Sequence, residues 1–466
     1  MNSLASNAQR DSVLPAGSGM EPVILVGAAL ASAALLAIAG PAGIVVVPVA
    51  VAAVAVMVNP ELGLYALLLA LVFPVPIHVR EAVIYPHDAV AVLTIISTFV
   101  MALRRRDLSL PTPLFLIPAA CLVVSQIVSL VNATDLTAGG LEVLQQSYLV
   151  VLAPISYYLL LRNERTLRRL TRAFMILILA EAILVCAQFA SARAGNRLLV
   201  DTLAFGRATF GGSTRVFGTV GPAIGLLLVA SSFLWIDSKA KWSWKLVVVM
   251  LHVFAIFATG ARSAMLVFVF TLVFYILFTR KRSVGLKVMI PVLAGILIFV
   301  GIIGTTRFSE SLVHTSDMRY RFPIDSKALR AVPEHPIIGH GPKSAANVSI
   351  SIFGARKIGV ENEYVARLYN TGLLGLAALF AFGSVPVLAS VSTTNRKHPA
   401  AGVALATAAV IVGVYSGGAA GCLFEGSLGQ WLMIFYAMML AAAQISRSRD
   451  ATRLRGAAAH EKAVAS

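Results

Sequence analysis

The chain has 466 residues, of which 58% are hydrophobic and only 13% charged, and its mean hydropathy is +0.85. A soluble domain carries roughly 25% charged residues, so the polar side chains here are too few to cover a water-facing surface. That excludes soluble, collagen-like, disulfide-rich and disordered classes. The net charge of +17, from 38 basic and 21 acidic residues, reads as decoration of cytoplasmic helix ends and implies no nucleic-acid partner.

Apolar runs between breakers and charges predict an all-α polytopic membrane protein with about 12–14 transmembrane helices. A polar cytoplasmic tail over 1–21 is followed by spans near 22–39, 42–58, 61–77, 87–103, 113–131, 145–161, 169–190, 216–236, 243–259, 263–279 and 286–304. A long loop over 305–361 separates these eleven from spans near 362–391, 399–418 and 424–445, and a tail over 446–466 closes the chain. Pro41, the Asn59-Pro60 pair and Pro111 with Pro113 are expected to end helices in the first half. Cys121, Cys186 and Cys422 lie far apart in or near apolar segments. They fit small packing residues, with no disulfide or metal spacing.

Six basic segments fix the orientation: Arg104-Arg105-Arg106, the run Arg162 to Arg169, Lys239 to Lys245, Arg280-Lys281-Arg282 with Lys287, Arg396-Lys397, and the tail from Arg447 to Arg455. With fourteen spans all six fall on one side, which predicts both termini in the cytoplasm. That side takes 23 of the 38 basic residues and leaves 15 outside, where they should be scarce. Apart from Arg80, the outer ones gather in two places and one helix end. Arg193, Arg197, Arg207 and Arg215 fill one loop, and Arg262 opens a span. The third group, in and just after the long loop, is Arg307, Arg319, Arg321, Lys327, Arg330, Lys343, Arg356, Lys357 and Arg367.

Such a gathering points to an extracytoplasmic anion site, because the planar guanidinium fork donates two parallel charge-assisted bonds to phosphate. Salt bridges to Asp201, Glu310, Asp317, Asp325 and Glu334 explain most of these arginines equally well. Arg215 and Arg262 differ, since each stands at the edge of an apolar helix beside glycines, where a charge near lipid is expensive.

A loop of roughly 55 residues exceeds a connector and predicts a small subdomain with a short helix near 325–331. Within it, His335-Pro336-Ile337-Ile338-Gly339-His340-Gly341-Pro342 reads as tight non-helical backbone suited to aiming amides at an anion. His335 and His340 lack the partners that a metal site needs. Next, Glu361-Asn362-Glu363 opens a helix. At about 100° per residue, Gly372 and Gly375 fall within roughly 20° and 40° of Glu361, so one face would carry a carboxylate above two small residues that admit a neighbouring helix. Glu363 reads as a complement to the helix dipole. Glu181, deep in the seventh span, is an intramembrane acid with no partner evident from sequence.

The string His335-Pro336 to Gly341-Pro342, the pair Glu361-Asn362, then nine residues and Gly372-Leu373-Leu374-Gly375, resembles a pattern of the O-antigen ligase and polysaccharide polymerase superfamily of bacterial envelopes. Arg215 before Gly221-Pro222, and Ala261-Arg262-Ser263, are similar to its other marks. The resemblance covers roughly residues 205–435. It implies a GT-C-like glycosyltransferase of the bacterial inner membrane, with its long extracytoplasmic loop between the eleventh and twelfth helices. The substrate would be a glycan on a polyprenyl diphosphate such as undecaprenyl diphosphate, transferred on the periplasmic face to an acceptor glycan, with contacts to other polysaccharide export components.

The resemblance implies catalytic roles for Glu361, Arg215 and Arg262, with Arg207, Arg319, Arg321, Lys343, Asn362, Tyr364 and Arg367 binding substrate. Glu361 would be the general base of an inverting, metal-independent transfer without cofactors, which needs hydrogen-bond reach and partial burial. The two arginines would hold the departing diphosphate. Phe322, Tyr320, Phe353, Tyr364 and Tyr369 offer faces for sugar stacking. Ligases of the superfamily typically carry His where this chain has Glu361, which favours a polymerase for O-antigen or exopolysaccharide. The alternatives are an O-antigen ligase that transfers the finished glycan, a lipid-linked oligosaccharide flippase, and a non-catalytic envelope assembly factor.

Overall fold

The computed structural model describes residues 53–73, 77–79, 82–194, 209–210, 213–214, 216, 219–220, 223–279, 289–290, 292–297, 316–348, 350–352, 356–392, 398–418, 423–424 and 426–465. The predicted span at 22–39, most of that at 42–58 and much of that at 286–304 lie outside them. The principal helices are α1 (Pro60–Val72), α2 (Pro86–Arg104), α3 (Pro113–Ser129), α4 (Leu136–Leu161), α5 (Glu164–Arg193), α6 (Ile224–Asp237), α7 (Trp242–Ala258), α8 (Arg262–Phe278), α9 (Ser316–Ala331), α10 (Glu363–Val391), α11 (Pro399–Gly417) and α12 (Gly426–Ala465). Among the described residues three short antiparallel hairpins accompany them, pairing Ile77 with Ile84, Thr209 with Thr214 and Ile350 with Ile358. Among the described residues seven helices are long and apolar enough to cross a membrane, and α1, α6, α7 and most of α8 form shorter apolar helices. The chain is a helical, polytopic membrane protein.

Local chemistry sets the helix starts. Pro60, Pro86, Pro113 and Pro399 stand in the first turn, where no intrahelical partner is lost. Of the prolines expected to end helices, Pro60 and Pro113 therefore begin them, and Pro41 lies outside the described residues. Side chains of Asn59, Asp135, Asn163 and Asn362 accept backbone amides at the starts of α1, α4, α5 and α10, as capping residues do. Because Asp135 caps α4, that helix starts nine residues before the predicted 145, and a π turn at Tyr148–Leu152 interrupts it. By contrast α6 starts eight residues after the predicted 216.

The α12 span is the axis of the bundle: 89% of its apolar window is buried, against 39% for α2, α3 and α5. Trp431, Phe435 and Tyr436 are fully buried on it. At one end of the bundle Arg162 donates to Asp107 (2.9 Å), and Glu164 meets Arg168 (2.7 Å) and His398 (4.0 Å). These contacts bring Asp107 after α2, Arg162 after α4 and His398 before α11 to one face.

The opposite end is organised by a break in α10. The helix is not continuous as the wheel projection assumed: Gly372 has φ 64 and ψ −163. Glu361 precedes the capping Asn362, so it lies outside the helix rather than above two glycines on one face. The loop 336–341 fills the break. His340 and Gly341 amides donate to the carbonyls of Tyr369 (2.9 Å) and Asn370 (3.0 Å), while Leu373 and Leu374 amides donate to Pro336 (2.9 Å) and Ile337 (3.1 Å). Unpaired backbone groups at membrane depth cost several kcal/mol, and this exchange leaves these paired. Ser129 donates to the Asn370 carbonyl (2.5 Å), and Asn132 to that of Gly339 (2.8 Å). The glycines are close-approach residues: a Cβ on Gly372 would sit 2.3 Å from the Ile337 oxygen, and one on Gly339 2.4 Å from Asn370 carbon. The amides of His340 and Gly341 are thus spent on α10, which overturns their expected aim at an anion.

Gly372→Ala is therefore expected to cost about 2 kcal/mol or more, from a strained backbone and a clash. Gly140→Ala, in α4 with nothing within 4 Å of the added carbon, should be neutral or stabilising by up to ~1 kcal/mol. Apparent melting temperatures in detergent check both.

Candidate functional site

A polar cavity of about 530 Å³ opens at the interlocked end of the bundle. The ends of α3, α4 and α10 and the segment after the 336–341 loop surround it, and Glu361, Glu363, Lys343 and Arg367 line it. Glu361 sits at its edge, partly exposed, with one carboxylate oxygen 2.5 Å from the Arg321 guanidinium of α9. Burial raises the pKa of Asp325, one turn further along α9. A hydrogen bond with Asn362 and the Arg321 charge pull it down again, and the Glu361 charge pushes it up. The α9 helix is thereby tied by charge to the start of α10.

Glu363 and Arg367 form a second pair (2.8 Å), each side chain 7% exposed. The other Glu363 oxygen accepts the Leu423 amide (3.1 Å), and the Arg367 guanidinium lies 5.5 Å from the Phe424 ring centre. Arg367 also reaches Gln146 on α4 (3.5 Å). Glu363 thus joins α10 to the segment before α12, a task beyond the dipole complement read from sequence.

The other expected site residues divide. Lys343 lines the cavity in a left-handed conformation, φ 65. Asn362 and Tyr364 do not line it. The Asn362 oxygen accepts the Tyr364 (3.1 Å) and Val365 (3.4 Å) amides. The Tyr364 hydroxyl donates to the Tyr415 carbonyl, and its ring stacks on Phe380 at 5.2 Å. Arg207 and Arg215 lie outside the described residues. For Arg262 and Arg319 the backbone alone is described, at the first residue of α8 and within α9. Of the aromatic candidates, Phe322 is exposed, Tyr369 is stacked at 4.2 Å on His340, and Phe353 and the Tyr320 side chain lie outside the described part. Among the described residues no group of three or more His, Cys, Asp or Glu side chains converges as a metal site would.

Glu181 gains a partner that sequence could not supply. It accepts the Thr219 amide (3.0 Å) and contacts the Thr219 hydroxyl (2.5 Å), which also reaches the Val72 carbonyl (3.0 Å). It therefore pins the approach to α6, four residues beyond Arg215. Sequence reasoning also missed Gln126, Glu142, Gln145 and Gln146, all cavity residues. The only signal for the last three was the Asp135 cap, which extends α4 outward.

The family described as O-antigen ligase matches residues 246–380, a stretch that runs from α7 through the 336–341 loop to the middle of α10. The match supports membership of the O-antigen ligase and polysaccharide polymerase superfamily and indicates glycan transfer of that general kind. No curated protein matches the chain.

Removing one partner of a buried pair leaves an uncompensated charge, so Arg367→Met alone should cost about 3–5 kcal/mol. The double change Glu363→Gln with Arg367→Met should cost clearly less, which a thermal double-mutant cycle reads. For Asp325 the native pKa lies above the unfolded value. Its stabilising contribution is thus complete below the ordinary carboxyl value and lost as pH rises through the raised one. Melting temperatures of wild type and Asp325→Asn should diverge across that window, with wild type losing ground as pH rises.

Proposed function

We propose that this protein is a polysaccharide polymerase that transfers a glycan from a polyprenyl-diphosphate carrier to an acceptor sugar on the outer face of the bacterial inner membrane. The observation that carries the reading is Glu361 at the edge of a polar cavity, ion-paired to Arg321, within the stretch that matches the O-antigen ligase family. Arg321 orients the carboxylate. Glu361 takes the proton of the acceptor hydroxyl as that oxygen attacks the anomeric carbon. The bond from that carbon to the carrier phosphate breaks, the configuration inverts, and the diphosphate leaves with the electron pair. Arg215 and Arg262 neutralise its charge, a stabilisation worth a few kcal/mol per donor. The basic face, with the loops after α2, α4 and α10, is then cytoplasmic, which puts the cavity on the opposite side.

A second reading, an O-antigen ligase that moves the finished glycan to a lipid or protein acceptor, is favoured by the description of the matching family. Glu361, where ligases of the superfamily typically have His, favours the polymerase.

Glu361→Gln should abolish polymer while the protein stays in the membrane at wild-type level. Arg215→Lys and Arg262→Lys keep the charge but lose the fork, and each should lower the rate more than tenfold. Polymer analysis by gel, with immunoblots of the membranes, checks all three. Full polymer from Glu361→Gln removes the base assignment, and silence of both lysine variants moves the diphosphate elsewhere.

A further inference from the structure

We infer that the cavity is a subsite for the uncharged, hydroxyl-rich part of the acceptor glycan, with Gln126 and Gln145 among the side chains that grip it, and that the carrier diphosphate binds outside it. This rests on the glycan-transfer reading and names which substrate the cavity takes.

The first observation is charge. Glu142, Glu361 and Glu363 line the cavity against Lys343 and Arg367, and Arg367 is already bound to Glu363 at 2.8 Å. Glu363 is in turn neutralised by Arg367 and Glu361 by Arg321, so beyond these pairs the lining offers one carboxylate, Glu142, and one cation, Lys343, with no excess positive charge to hold a diphosphate. A neutral polyol needs no such excess, because carboxylates accept from hydroxyls readily.

The second observation is an unsatisfied acceptor. Gln126 on α3 lines the cavity and is 1% exposed, and its Oε1 has no donor among the described residues. A buried acceptor without a partner is costly, whereas a ligand O–H would complete it. Across the cavity the face of α4 offers matching groups. The Gln146 amide donates to Glu142 (3.2 Å) and its oxygen accepts from Arg367 (3.5 Å), so this residue and Glu142 hold each other in place. Gln145 beside them is exposed and lines the same space. The π turn at Tyr148–Leu152 follows directly, and such turns in otherwise regular helices occur frequently at functional sites. Carboxamides that both donate and accept suit sugar hydroxyls, which do the same.

The test uses the full chain in lipid nanodiscs. It is titrated with the host strain's own repeat-unit glycan, released from its carrier by mild acid, and binding is followed by saturation-transfer NMR. Millimolar inorganic pyrophosphate serves as the competitor. The glycan is expected to bind undisturbed by pyrophosphate. Gln126→Leu and Gln145→Ala should each weaken binding by roughly tenfold, and the exposure of Gln145 keeps folding out of the result for that variant. Displacement of the glycan by pyrophosphate, or wild-type affinity in both variants, overturns the subsite while leaving the transferase reading standing. Failure of that reading shows differently: wild type binds no glycan, and Glu361→Gln makes normal polymer.

Discussion

Four backbone hydrogen bonds between the 336–341 loop and the broken middle of α10 hold the cavity end of this molecule together. A helix that must open at Gly372 would expose carbonyls and amides in a region poor in water. The loop supplies both the missing donors and the missing acceptors. This explains why prolines and glycines cluster at 336–342. The prolines keep that stretch out of helix, and Gly339 and Gly372 let two backbones meet closer than any side chain allows. Ser129 and Asn132 at the end of α3 lock the same junction from behind.

That junction sets the chemistry next to it. Two carboxylates two residues apart meet different environments because the Asn362 cap stands between them. Glu361, before the cap, looks across the cavity edge to Arg321. Glu363, in the first helical turn, points inward to Arg367 and the Leu423 amide. The first stands at the cavity edge, and the second fixes part of the cavity wall. At the far end of the same helices Arg162, Arg168 and His398 meet Asp107 and Glu164, whereas this end holds a mixed-charge cavity.

Composition and apolar runs between charges made the membrane class and most of the described helix positions legible, whereas the Asp135 cap went unread and Pro60 and Pro113 were read as helix ends. The motif 335–342 with Gly372 was legible as a unit but not in meaning, because its glycines serve an approach between segments thirty residues apart, which no local pattern reveals. The same limit hid Gln126 and Gln146, whose polar side chains sit in apolar helices and gain sense only where α3, α4 and α10 converge. Glu181 had no partner evident from sequence, because its partner Thr219 lies 38 residues away. The resemblance implied substrate binding by Asn362, as part of the pair with Glu361, and by Tyr364, whose ring offered a face for stacking. The cap and the Tyr415 carbonyl claim them instead.

Glycan transfer at the α10 cavity is tested most directly by mass spectrometry of carrier-linked glycans in a strain deleted for this protein. Single repeat units piling up on the carrier at its outer face are expected of a lost polymerase. Finished chains stranded on the carrier would contradict that assignment in favour of a ligase, and a carrier pool indistinguishable from wild type would contradict glycan transfer altogether.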